Sequence, residues 1–310
     1  MAAAAGQRAV KHGAGQSGET PRLPGLTEAP GPGGAVPKGP VPFLKWVGGK
    51  RQLLPELLRR IGRLDTFGAY HEPFVGGGAL FFELWSRGRL SGPVRLSDNN
   101  PNLIAAYEGV KYAVEQVIEL LREHARRHDK EHYYATRAAR PDSLAARAAR
   151  IIYLNRTCFN GLFRENSRGE FNVPMGRYVN PRICDEANLR AAAEALRDVR
   201  IDTAPFDSVV EAAAPGDLVY FDPPYHPVSA TANFTAYQRD GFGEDDQRAL
   251  AGVFRALDAN GVHVLLSNSC TEFVRGLYAD FVVENVSASR CVNSRADRRG
   301  PVWEVLVGNF

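Results

Sequence analysis

Four cysteines and two methionines are all the sulfur this 310-residue chain carries, and no two cysteines fall at C-x-x-C spacing. Cys158, Cys184, Cys270 and Cys291 are scattered, without a nearby histidine at ligand spacing. That argues against zinc and for free thiols in a reducing compartment. No apolar run approaches the ~18 residues that a membrane span needs. The N-terminus, Met1-Ala-Ala-Ala-Ala-Gly6, lacks the charged-then-apolar pattern of a secretory signal. A cytoplasmic protein with neither a membrane nor a metal as partner is expected. Charge of one sign is not in excess either, since 38 Lys and Arg face 35 Asp and Glu.

The distribution of that charge is uneven. Residues 122–182 hold thirteen Arg or Lys against six Asp or Glu, and residues 183–289 hold seven against seventeen. Residues 290–299 are basic again through Arg290, Arg295, Arg298 and Arg299, offset by Asp297. This segregation suits a basic surface facing phosphates beside a more acidic body. It suits solvated helix faces equally well, and charge alone does not decide between them.

Residues 1–40 are rich in Ala, Gly and Pro and nearly devoid of aromatic or β-branched residues, a composition that predicts a disordered extension. The folded part is expected to start near Val41. Strands are predicted at Ala69–Val75, Val94–Ser97, Val199–Thr203, Leu218–Asp222 and Val262–Ser267, with helices at Ala79–Ser86, Glu186–Arg197 and Glu244–Asp258. Another helix begins at Asn102–Glu108. An Arg-rich helical region runs from about Val114 to Asn155, with Val117, Leu120 and Leu121 at helical spacing. Residues 156–182, punctuated by Gly161, Gly169, Pro174 and Gly176, read as an ordered loop or hairpin. Phe281–Ala288 and Val302–Val307 flank a basic turn and read as a closing hairpin. Alternating strands and helices predict a mostly parallel doubly wound α/β sheet. The closing hairpin would set one strand antiparallel, and the basic segment would be an insertion into the strand–helix rhythm.

Two motifs carry chemistry. Glu72-Pro-Phe-Val-Gly-Gly-Gly78 lies between a strand and a helix, where glycines admit a ligand close to the backbone. It fits neither G-x-G-x-x-G nor G-x-x-x-x-G-K-[ST]. Asp98, 22 residues after Gly76, ends the next strand, where a carboxylate can accept from both ribose hydroxyls of a nucleoside cofactor. A cofactor without pyrophosphate needs no phosphate cradle, which favours S-adenosylmethionine over a dinucleotide. A simple tight turn is the alternative. Asp222-Pro-Pro-Tyr225 ends an apolar strand, at the rim where ligands bind in open α/β sheets. The Asp222 carboxylate and the Pro223 carbonyl can accept both hydrogens of adenine's exocyclic amine, favouring a more nucleophilic nitrogen. Pro223 and Pro224 fix φ and add no donors. Tyr225 offers a face on which an extruded base can stack. Against this stands a rigid turn followed by a core tyrosine.

Further motifs carry a resemblance. Phe43-Leu-Lys-Trp-Val-Gly-Gly-Lys50, Glu72–Gly78, Tyr153-Leu-Asn-Arg156, Asn160-Gly-Leu162 and Arg168-Gly-Glu-Phe-Asn-Val-Pro174 resemble, in order and spacing, the Dam family of DNA adenine-N6 methyltransferases. So do Gly176-Arg-Tyr178 and the stretch from Asp222 to Tyr237, and the similarity spans about Val41 to Val307. The resemblance implies a Rossmann-like S-adenosyl-L-methionine-dependent methyltransferase with a seven-stranded sheet. A catalytic domain of residues 41–108 and 186–310 would surround an inserted helical target-recognition subdomain, 109–185. It implies Trp46, Lys50, Glu72, Phe74, Gly76, Gly78, Asp98 and Asp222 around the cofactor, with Lys50 pairing with the methionyl carboxylate and Trp46 packing on the cofactor.

Double-stranded DNA is the implied partner and GATC the implied target. Phe159 would insert into the base stack near the extruded adenine. Arg164 would read guanine bidentately, Leu162 and Pro174 would touch a thymine methyl, and Lys45 would contact the outer guanine. Asn160 and Arg177 are further implied DNA contacts; alternatively, Phe159, Leu162 and Pro174 form the loop's own small core. Departures occur at Thr157-Cys158, Phe163, His226 and Val228, and Asn293–Gly300 matches the family's basic turn only in character. An adenine methyltransferase of another target sequence and a cytosine-N4 methyltransferase remain alternatives. A cognate restriction endonuclease is left open as a functional companion, with no obligate protein partner.

Overall fold

Helix and strand boundaries follow local chemistry. In the computed structural model, which describes residues 39–46, 50–166, 168–228, 242–289 and 301–310, a 3-10 turn at Lys50–Gln52 leads into α1 (Leu54–Ile61). Strand β1 (Tyr70–Glu72) and α2 (Ala79–Ser86) follow, then β2 (Val94–Asp98) and α3 (Pro101–Arg126). Asn100 caps α3 by accepting from the Asn102 and Leu103 amides, and Pro101 opens it. Next come α4 (Lys130–Ala138), α5 (Leu144–Thr157), a 3-10 turn at Phe159–Gly161, α6 (Glu186–Ala195) and β3 (Val199–Thr203). A 3-10 turn at Phe206–Ser208 and α7 (Val209–Ala212) precede β4 (Leu218–Phe221). The chain finishes with α8 (Glu244–Ala259), β5 (His263–Ser269), α9 (Glu272–Leu277), β6 (Val282–Ser289) and β7 (Pro301–Gly308).

The seven strands lie in the order β3-β2-β1-β4-β5-β7-β6. Pairs among β1 to β5 are parallel, and β7 runs antiparallel to both β5 and β6. This is a mostly parallel Rossmann-like α/β sheet with one antiparallel strand, as expected. Side chains alternate across it. Leu218, Tyr220, Leu265 and Leu306 join one core, with α1, α2, α3, α5 and α6 packed there. Val219, Phe221, Val264, Leu266, Val305 and Val307 join the other, under α7, α8 and α9.

Sequence periodicity missed α1, α7 and α9, which are four to eight residues long. The helix expected to begin at Asn102–Glu108 and the start of the helical region expected from about Val114 are one element, α3, with non-helical backbone at Ala113 (φ −144°, ψ 36°) between them. Residues 39–310 form one compact unit. The expected disordered extension lies, apart from Gly39 and Pro40, outside the described residues, as do the Ser229–Tyr237 stretch and the basic turn at 290–299. No helix among the described residues is long and apolar enough to cross a membrane.

Candidate active site

The chain moves outward from β1 to β2 and β3, then returns to β4 on the other side of β1. That reversal is a topological switch point, and open α/β sheets bind ligands beyond the carboxyl ends of the strands beside it. The two chemistry-bearing motifs meet there.

Asp222 follows directly on β4. Its Oδ1 lies 2.8 Å from Lys50 Nζ and accepts from the Ser267 hydroxyl at 2.9 Å. Burial pushes the Asp222 carboxyl above its ordinary range, while the Lys50 ammonium and the Ser267 hydroxyl pull it back toward ionisation. The same ammonium sits 4.4 Å from the centre of the Tyr225 ring. The Tyr225 hydroxyl donates to Glu304 Oε2 on β7 at 2.8 Å. Carboxylate, ammonium and phenol ring are therefore gathered at one strand tip. Lys50, expected opposite a methionyl carboxylate, has Asp222 as its partner here.

The glycine turn is built for close approach. Gly76 (φ +46°) and Gly78 (φ +64°) are left-handed. A Cβ on Gly76 would lie 2.9 Å from the Trp46 ring, and one on Gly78 would lie 2.7 Å from the Tyr107 hydroxyl. That hydroxyl donates to the Gly76 carbonyl at 3.0 Å, locking the turn onto α3. Asp98 accepts from the Gly76 amide at 3.4 Å and the Asn100 amide at 3.0 Å. Burial raises its pKa to about 6, with the amides of Asn100, Gly76 and Asn99 opposing.

Glu72 lies buried beneath the turn and accepts from the Tyr70 hydroxyl at 2.8 Å. Burial, opposed by that bond and reinforced by Asp222, lifts it to about 8. Phe74 stacks on Phe206 at 5.4 Å and meets Phe242 edge-on at 5.7 Å. A carboxylate at the tip of β2, a glycine turn and flat apolar rings suit a nucleoside cofactor with no pyrophosphate.

The expected recognition residues come together on a second feature. Cys158 bridges to Met175 and Glu165 to Phe171, so residues 158–175 fold back on themselves. The Phe159 amide donates to the Pro174 carbonyl at 2.9 Å. Asn160 (φ 56°) is the one non-glycine with positive φ among the described residues, and with Gly161 it makes a turn that leaves Phe159 48% exposed. Asn160, Arg164, Pro174 and Arg177 are exposed as well, whereas Leu162 is half-buried against the main core. Arg164 Nε donates to Asn172 Oδ1 at 2.7 Å. Lys45 joins the group through its ammonium over the Tyr178 ring at 4.4 Å, and the Asn155 amide brackets its backbone. Trp46 links the two features, 5.3 Å from Phe163 and beside Gly76.

Sequence reasoning missed Ser267, Glu304, Phe206 and Phe242. The available signals were slight: a polar run ending an apolar strand, and one carboxylate inside Val302-Trp-Glu-Val-Leu306.

The strand order is that of a Rossmann-like α/β sheet, with the two chemistry-bearing motifs at its switch point. The family model of the D12 class N6 adenine-specific DNA methyltransferases matches residues 46–292. The chain is 42% identical over 277 residues to the Type II methyltransferase M1.LlaDCHI of Lactococcus lactis subsp. cremoris, covering 87% of this chain and 95% of that one. It is 40% identical over 286 residues to the Type II methyltransferase M.MjaIII of Methanocaldococcus jannaschii, covering 87% and 99%. With the DNA adenine methylase of Escherichia coli K12 it shares 36% over 270 residues, covering 86% and 94%. The chain belongs to the D12 class of N6 adenine-specific DNA methyltransferases. Cytosine N4 is thereby set aside as the methylated atom, and DNA is the macromolecule acted on. Among the described residues no group of His, Cys, Asp or Glu is arranged to hold a metal ion.

Proposed function

We propose that this enzyme methylates N6 of an adenine rotated out of duplex DNA, within the sequence GATC, using S-adenosyl-L-methionine. The observation that carries the reading is Asp222 at the tip of β4, held by Lys50 and Ser267 with the Tyr225 ring beside the same ammonium.

Lys50 and the Ser267 hydroxyl stabilise Asp222 as an acceptor. The carboxylate takes one hydrogen of the exocyclic amine and the Pro223 carbonyl takes the other. The nitrogen lone pair is then drawn out of conjugation and aimed along one direction. Tyr225, tethered through its hydroxyl to Glu304, supplies a fixed face for the base. Asp222 need not remove a proton before methyl transfer, because the methylated nitrogen sheds it afterwards. Trp46, Lys50, Glu72, Phe74, Gly76, Gly78, Asp98 and Asp222 would hold the cofactor, and Asp98 would accept from its ribose hydroxyls. Phe206 and Phe242 extend the apolar faces open to its adenine. When bound, S-adenosyl-L-methionine supplies an electrophilic methyl on a sulfonium. Positioning the amine against it provides most of the acceleration.

Residues 109–185 act as the target-recognition subdomain. Phe159 fills the gap left by the adenine, Arg164 reads a guanine after exchanging Asn172 for the base edge, and Leu162 and Pro174 touch a thymine methyl. Lys45 reads the outer guanine, and Asn160 and Arg177 add further contacts.

Duplex oligonucleotides differing by one base, incubated with S-adenosyl-L-methionine tritiated at the methyl, test the proposal. Label is expected on adenine in GATC alone, and Asp222→Ala is expected to bind the same duplex without labelling it. Label that persists when GATC is scrambled removes the target assignment. Absence of label on any adenine removes the whole reading.

A further inference from the structure

Strand β5 is apolar through Val264-Leu265-Leu266 and then ends in Ser267-Asn268-Ser269, none of them more than 1% exposed. Three consecutive buried polar side chains are costly unless each is hydrogen-bonded, and all three reach the segment that follows β4. Ser267 donates to Asp222. Asn268 Oδ1 accepts the His226 amide at 3.1 Å, and the Ser269 hydroxyl donates to the His226 carbonyl at 2.6 Å.

Helix α8 adds a fourth polar residue. Gln247 is 0% exposed although the turn around it reads Glu244-Asp-Asp246. Its Nε2 donates to the Pro224 carbonyl at 2.9 Å, and its Oε1 accepts from Asn268 Nδ2 at 3.0 Å. Two side-chain amides thus bond to one another, and each grips the backbone on one side of Tyr225. The His226 ring is seated too, with Nδ1 3.1 Å from Thr271 Oγ1 and the ring stacked on Phe273 at 4.7 Å.

This segment cannot readily brace itself. Pro223 and Pro224 have no N–H to close a local turn, so its geometry must come from neighbouring elements. We propose that Gln247 and Asn268 are positioning residues for methyl transfer, a buried amide pair that holds the Pro224–His226 backbone so that Asp222, the Pro223 carbonyl and the Tyr225 ring face one amine. The assignment rests on the reading of Asp222–Tyr225 as the amine-binding segment.

Gln247→Glu tests it, because the change keeps size and shape and, when ionised, sets a charged acceptor in place of the donor aimed at Pro224. Cofactor affinity and duplex affinity are expected to stay near those of the unaltered enzyme, while the melting temperature falls as pH rises and the buried carboxyl ionises. The single-turnover methylation rate at pH 9.5, where the introduced carboxyl is ionised, should fall about tenfold to a hundredfold relative to the unaltered enzyme, the scale of a misplacement near 1 Å. A buried glutamic acid takes up a proton readily, and the protonated carboxyl can again donate to Pro224. The ratio of variant to unaltered rate should therefore climb as pH is lowered toward 6. A ratio near one at every pH from 6 to 9.5 overturns the proposal, as does a low ratio that does not change with pH. Should Gln247→Glu not fold, Gln247→Met decides the matter, since it keeps the side chain's length and removes the bond to Pro224 without adding a charge. A severalfold drop in the same rate supports the assignment, and an unchanged rate overturns it. An unaltered enzyme that labels no adenine removes the underlying reading and this assignment together, an outcome distinct from a failed ratio.

Discussion

Asp98 shows how one carboxylate's surroundings set a measurable pH response. Its pKa of about 6 arises because burial outweighs three backbone amides. The ionised form, the one proposed to accept from the cofactor's ribose hydroxyls, dominates above that value and is lost below it. Affinity for S-adenosyl-L-methionine is therefore expected to be flat above pH 7. Below pH 6 it should fall by roughly tenfold per unit, as one proton linked to binding requires. Asp98→Asn should bind more weakly and show no such slope. Calorimetric titration across pH 5 to 8 checks both, and an unchanged slope in the variant would separate Asp98 from the cofactor. Glu72, lifted to about 8 chiefly by burial, accepts from the Tyr70 hydroxyl.

Among the elements, the turn between β1 and α2 is the most constrained. Gly78 is the N-cap of α2 in a left-handed conformation, and the Tyr107 hydroxyl and the Phe82 ring occupy the space beside it. Gly78→Ala would pay the left-handed penalty and displace Tyr107 from the Gly76 carbonyl. A loss of ~2 kcal/mol in unfolding free energy is expected from the backbone conformation alone, read by urea denaturation. Weaker cofactor binding should accompany it. Gly88, also left-handed but with no atom within 4 Å of its would-be Cβ, supplies the control: Gly88→Ala should carry the conformational cost without the cofactor defect.

Across the whole molecule the basic insertion is less charged, in effect, than its residue count suggests. Arg122 pairs with Glu186, Arg126 and Arg127 with Glu123, Arg140 with Glu170 and Arg182 with Asp185. Among the described residues Lys130, Arg137, Arg147, Arg150, Arg164, Arg168 and Arg177 make no ion pair with a carboxylate, and Lys130, Arg164, Arg168 and Arg177 are exposed. If about four cations meet phosphates, the logarithm of duplex affinity should fall against the logarithm of salt with a slope of roughly −3 to −4. Binding isotherms between 50 and 200 mM salt give that slope. A value near −10 would mean that the internal pairs open on DNA, and a value near zero would move the phosphate-facing surface elsewhere.

The sequence by itself determined the strands, the long helices, the glycine turn, Asp98 and Asp222-Pro-Pro-Tyr225, because each is written in contiguous residues: apolar runs, helical spacing and strand-end punctuation. Tertiary structure decided the rest. The Lys50–Asp222 pair, the Tyr225–Glu304 tether and the Gln247–Asn268 amides join residues tens to more than a hundred positions apart. Their meeting depends on strand order and on which side of the sheet each element packs. Short helices such as α7 and α9 were illegible for the same reason, since four to six residues carry too little periodicity and are held by the core they cover.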